Sequence, residues 1–274
     1  MTSPTQDSFN VVGRVNRSLP LAVTAGAAIG VLGGMIGLGG AEFRLPLLIS
    51  VFGFVALQAV ILNKAMSLIV VLTALPARLI SVPYADLAPY WSVVVNLLCG
   101  SLVGAWVGAT WATKMRSGNL YKVLAGLLVL IAVALAASHF GELGSLEFGP
   151  VWRAVAGVIA GLGIGIVAAL MGVAGGELLI PTIVLLFAVD IKIAGSLSLA
   201  VSLPTMLVAF ARYSRDQSFG VLRANGRFVI AMSVSSIVGT IVGGLLLGVV
   251  PSVVLVPILV VLLLLSAVKV WHHD

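Results

Sequence analysis

From Leu19 to Val268 the chain is a succession of apolar runs, separated by intervals too short to hold a soluble domain. This repetition constrains the fold more than any motif does, because about 20 apolar residues in a helix cross a hydrocarbon core of about 30 Å. The expected fold is an all-α, polytopic membrane protein. Composition agrees: 9% of residues are charged and mean hydropathy is +1.22, against roughly a quarter charged residues in a soluble domain.

Two of the runs are broken in the same way. Gly37-Leu38-Gly39-Gly40-Ala41-Glu42-Phe43-Arg44-Leu45-Pro46 returns, at an offset of 135 residues, as Gly172-Val173-Ala174-Gly175-Gly176-Glu177-Leu178-Leu179-Ile180-Pro181. The offset also pairs Ser67 with Ser202, Ser101 with Ser236, Gly104 with Gly239 and Gly108 with Gly243, so the duplication reaches well beyond the motif. Each half then holds five elements. They lie at about 19–36, 43–52, 56–80, 91–111 and 120–137, and again at about 152–171, 177–189, 193–210, 228–250 and 253–268. The second element of each half, about ten residues or a little longer, reaches only about 15 Å as a helix and cannot cross alone. It is either the return arm of a re-entrant hairpin or a half-helix packed beside a crossing one. The domain reading is a tail and first repeat at 1–138, an external linker at 139–151, and a second repeat with a short tail at 152–274.

The net charge of +6 does not point to nucleic acid, because the basic residues sit in short loops and form no continuous face. They serve as topology signals. Arg14 and Arg17, then Lys114, Arg116 and Lys122, then Arg212, Arg215, Arg223 and Arg227, and finally Lys269 all fall on one side if the two halves are inverted. Both termini are then cytoplasmic, and the linker with Glu142 and Glu147 lies outside. The polar first 18 residues read as an uncleaved tail. Cys99 is the only cysteine, which rules out an intrachain disulfide or an all-cysteine metal site. The chain has no phosphate-cradling Gly-Lys-Ser/Thr pattern and no dinucleotide fingerprint, so no cofactor and no ATP-driven motor are expected within it. Inverted repeats with interrupted helices follow the general plan of secondary transporters, with the substrate where the breaks meet.

The residues that can carry chemistry gather at the breaks. Gly37, Gly39, Gly40, Gly172, Gly175 and Gly176 allow backbone turns whose amides, at a helix start, attract an anion; the alternative is close helix packing. For Gly104, Gly108, Gly239 and Gly243, four apart in apolar helices, packing is the expected role. Glu42 and Glu177 are repeated carboxyls in a membrane segment, where such groups are costly unless paired, protonated or hydrated. Three roles stand open for them: holding the turn through local amides or Arg44, carrying protons, or touching substrate or a cation. Arg44 has no basic counterpart, its repeat position being Leu179, and it either neutralises Glu42 or recognises an oxyanion with its planar fork. Lys64, beside Asn63, either snorkels to the cytoplasmic surface or lines the mouth of the same cavity. Ser67, Ser198 and Ser202 offer hydroxyls for an anion or for interhelical bonds, as do Thr205, Ser233, Ser235 and Ser236. Trp91, Trp106, Trp111, Trp152, Trp271, Tyr84, Tyr90 and Tyr121 mostly read as interface anchors.

The duplicated glycine-rich break resembles that of the TauE/SafE family of sulfite and organosulfur anion exporters, on Gly37, Gly39, Gly40 and Pro46 and on Gly172, Gly175, Gly176 and Pro181. The resemblance covers essentially the whole chain. It implies a bacterial or archaeal inner-membrane permease with about eight full spans, moving small anions such as sulfite, thiosulfate or a sulfonate; the expected mechanism is alternating access between the two halves. Family members commonly have a third glycine and an aromatic residue where this chain has Ala41 and Glu42; in the second copy Ala174 replaces a glycine and Glu177 takes the aromatic position. The expected partners are a small anion and membrane lipid. Protons as coupling ion and a homo-oligomer are compatible with the sequence. The alternatives are an anion channel without active coupling, an enzyme or a scaffold; no nucleophile with a base and no metal cluster favours the enzyme.

Overall fold

The computed structural model describes residues 18–36, 40–81, 84–140, 149–246 and 252–272. Gly37 and Gly39 lie outside these. Ten principal helices follow in order: α1 Leu19–Ile36, α2 Ala41–Ser50, α3 Ala56–Ser81, α4 Trp91–Lys114, α5 Ser117–Phe140, α6 Pro150–Met171, α7 Gly176–Phe187, α8 Ile191–Tyr213, α9 Gly226–Leu245 and α10 Ser252–Trp271. Among the described residues no strand occurs. Six of these helices, α3, α4, α5, α6, α8 and α9, are long and apolar enough to cross a membrane, while α1, α7 and α10 hold shorter apolar stretches.

The widest interfaces join α1 to α9 and α4 to α6, followed by α5 with α10. The first two have a reason in small residues. Gly26, Gly30 and Gly34 of α1 face Met232, Ser236 and Thr240 of α9 in turn, and Gly239 and Gly243 face back on Ala27 and Val31. Gly104 and Gly108 of α4 meet Leu162 and Ile166 of α6, where a Cβ at Gly108 would stand 2.7 Å from the Ile166 carbonyl oxygen. Contacts advance together along both helices of each pair, so the pairs run parallel. The four glycines expected to serve packing do so, because without a side chain the two backbones approach closely enough for dispersion contacts to hold them in lipid. Ser236 Oγ adds a bond to Gly26 O across α9 and α1 (3.1 Å), and Ser101 and Thr205 bond across α4 and α8 (2.8 Å). Under the 135-residue offset, α1 with α9 becomes α6 with α4. The two halves are interlaced by equivalent contacts.

At each break the chain doubles back. A Cβ at Gly40 would lie 2.6 Å from Ile29 O and 3.4 Å from Gly33 Cα, while one at Gly175 would lie 3.2 Å from Ala168 Cβ and 3.3 Å from a methyl of Ile164. Residue 40 is thus level with the middle of α1, and residue 175 with the last turns of α6. At the far end of α7, Phe187 returns to lie beside Gly157 of α6. Each short helix thus packs back along the helix before it.

One end of the bundle gathers the basic segments. Ala56 N at the start of α3 donates to Tyr121 Oη at the start of α5 (3.2 Å), and Phe52 meets Phe228 at the start of α9 edge to face, with Phe54 tilted against the same ring. Lys122 lies over the Trp271 ring, Arg215 over Trp106, and Arg212 Nε donates to Thr110 Oγ1 (2.9 Å). Tyr121 is buried at this bond and is no interface anchor, its hydroxyl being needed by an amide that a helix start leaves open. The five tryptophans are exposed as anchors should be.

Candidate functional site

Both breaks meet at one asparagine. Asn63, about 10 Å along α3 from its first residue and fully buried, donates through Nδ2 to Ala41 O at the head of α2 and to Met171 O at the tail of α6, each at 3.0 Å. Ala41 follows the first break and Met171 precedes the second. One side chain therefore fixes the two hairpin tips against each other.

The second tip is held further by Lys64. Its Nζ donates to Ala168 O (2.8 Å) and Val173 O (2.6 Å), and the residue is 0% exposed. A helix ends with four carbonyls lacking intrahelical partners, and a cation there also meets the negative end of the helix dipole. Lys64 supplies both needs, Tyr213 Oη supplies another donor to Ala169 O (2.9 Å), and Asn63 completes the set. Lys64 thus does not snorkel to the surface, because the carbonyls of Ala168 at the end of α6 and of Val173 in the break hold its ammonium inside. Gly172 makes this fit possible: it has φ 70, and a Cβ on it would collide with Val60 O and approach Lys64 N to 3.0 Å.

The carboxyls of Glu42 and Glu177 lie within hydrogen-bonding range of each other, and each also bonds to its own backbone N–H. The amides at these two positions are therefore occupied by their own side chains and are not bare donors for a ligand. Glu42 is 1% exposed; Glu177 is partly exposed, yet its Oε2 is enclosed. Arg44 lies in the electrostatic field of Glu42, and Lys64 in that of Glu177. The local-amide role of the glutamates is observed, alongside a contact between the repeats that neither copy makes alone.

Arg44 stands apart. It is 0% exposed, and Nε, Nη1 and Nη2 all lack a hydrogen-bond partner among the described residues. A buried guanidinium with its donors unmet is among the costlier groups a protein can hold, and an oxyanion meets its fork with two parallel bonds. On the neighbouring α3, Asn63 Oδ1 and Ser67 Oγ, one turn apart, are also buried and unpartnered. Leu179, at Arg44's position in the repeat, is a core residue at 2% exposure.

The remaining expected site residues divide. Gly40 and Gly175 precede α2 and α7 in the left-handed region, at φ 69 and 84, as the two turns require. Gly176 opens α7, where a Cβ would meet nothing within 4 Å. Ser198 spends its hydroxyl on Gly195 O of its own helix (2.8 Å), and Ser202 is buried on α8. Tyr213 was not singled out by the sequence; its aromatic hydroxyl at the end of an apolar run was the available signal.

Residues 5–135, just under half of the chain, match the family model described as sulfite exporter TauE/SafE. Comparison with curated proteins and with solved structures gives no match.

Proposed function

We propose, from the premise that the first half matches the sulfite exporter TauE/SafE family, that this chain is a secondary transporter of small sulfur-containing oxyanions such as sulfite, thiosulfate or a sulfonate. The observation that carries the reading is the buried Arg44 guanidinium, whose three nitrogens have no partner among the described residues. An oxyanion beside Arg44 meets a cation first, and the buried Ser67 hydroxyl on α3 can donate to it as well.

In this reading the two hairpins belong to inverted repeats, and with α1 and α10 counted as crossings the chain has about eight spans in a bacterial or archaeal cell membrane. The equivalent pairs α1 with α9 and α4 with α6 support a two-fold relation between the halves, since each half lends one helix to each pair. Basic residues at one end of the bundle support cytoplasmic termini. Alternating access follows from rocking one hairpin set against the other about the site at Asn63, and protons serve as the coupling ion. Purified protein in liposomes is expected to give saturable flux and counterflow of labelled sulfite, thiosulfate or methanesulfonate. Flux that neither saturates nor shows counterflow would indicate a channel; the absence of flux with every one of these anions would overturn the reading.

A further inference from the structure

We infer that Glu42 and Glu177 hold one exchangeable proton between them, which is bound and released together with the anion at Arg44. The inference rests on the transport reading above and specifies how its coupling works.

The geometry leads there in three steps. Two carboxyl groups in hydrogen-bonding range of each other need a proton between them, since two carboxylates offer only acceptors. The pair is assembled from both repeats, one member on α2 and the other on α7, so any motion of one hairpin against the other opens or closes it. Finally, the charged groups that face the pair are few. Arg44 faces Glu42 from the same helix, and Lys64 faces Glu177 from α3. Tyr213 of α8 stands behind Lys64 with its hydroxyl committed to Ala169 O. Helix α1 carries no ionisable side chain, and Arg153 of α6, Lys192 and Arg212 of α8, Tyr121 and Lys122 of α5 and Lys269 of α10 lie near the ends of their helices.

The charges then count simply. With one shared proton the pair carries one negative charge against the two positive charges of Arg44 and Lys64, and the excess is balanced by a monoanion. When the proton leaves to water on the side to which the site is open, the four side chains sum to zero and nothing is left to hold the anion. Anion and proton therefore favour each other's binding, and the favour is reciprocal. Proton and monoanion move as an electroneutral couple whose direction follows their summed gradients. The second oxygen of each carboxyl, Oε2 in both, is enclosed, so exchange of the proton with water waits on the hairpins parting.

The test is proton uptake on anion binding, measured in weakly buffered detergent solution with methanesulfonate, which does not itself titrate near neutral pH. Wild type is expected to take up about one proton per anion bound, with affinity falling as pH rises through release of the shared proton. Glu42→Gln and Glu177→Gln keep a donor–acceptor pair with one fixed negative charge. They are expected to bind methanesulfonate with no proton uptake and with affinity independent of pH. Binding by wild type without proton uptake would overturn the inference and leave the transport reading standing, as would proton uptake that persists in both variants. Failure of wild type to bind any of methanesulfonate, sulfite or thiosulfate would overturn the anion reading itself, and the inference with it. The wild-type measurement alone decides between these even if a variant fails to fold.

Discussion

The two copies of the motif start their short helices alike, after Gly40 and Gly175 at positive φ, and differ in what surrounds those helices. In the first, α2 is buried on nearly every side, carrying Glu42 and the unpartnered Arg44 into the interior. In the second, α7 buries only Leu179, Ile183 and Leu186, and the residue at Arg44's position is a leucine. The first copy holds the charge. The second offers the carbonyls of α6 and a carboxyl, and borrows Asn63 and Lys64 from the first half to satisfy them. Their counterparts Ser198 and Leu199 return nothing equivalent, Ser198 being bonded within its own helix. The repeated motif thus gives a common frame, and the few positions at which its copies differ make the interior asymmetric.

The comparison can be broken most severely at Lys64. Lys64→Met is expected to lower stability by about 3–5 kcal/mol, since it leaves two buried carbonyls and Glu177 without their cation. Thermal unfolding in detergent checks this, and a midpoint equal to wild type would contradict the structural role of Lys64. A smaller effect separates two glycines of the second motif. Gly172→Ala is expected to cost about 2 kcal/mol or more, from its positive φ and the collision with Val60 O. Gly176→Ala, with open space around its Cβ and a helical position to favour it, should stay within about 0.5 kcal/mol of wild type or gain slightly. Equal midpoints for the two variants would show that the tip is not built as described.

The sequence made the elements legible because the apolar runs and their glycine interruptions are local signals. The first segment, expected at 19–36, is α1 itself, and the short second elements appear as α2 and α7 within two residues at either end. The pairing of Gly104 and Gly239 with neighbouring helices was also readable, since small residues four apart have few other uses in lipid. What stayed hidden is long-range. Nothing near Lys64 announces that its partners are carbonyls more than a hundred residues away, and Tyr121 looked like an anchor because its bond to Ala56 N crosses 65 residues. The glutamates were seen as a repeated pair, but that the pair meets requires the fold of both hairpins.

Arg44→Leu places the second copy's residue in the first and tests the central asymmetry most directly. Removing a buried cation from its anion costs about 2–5 kcal/mol, so saturable uptake of methanesulfonate or sulfite into liposomes should fall by about 30-fold or more. Thermal stability should hold or rise, because the protein no longer buries an unmatched charge. Transport at the wild-type rate and affinity in this variant would contradict the account.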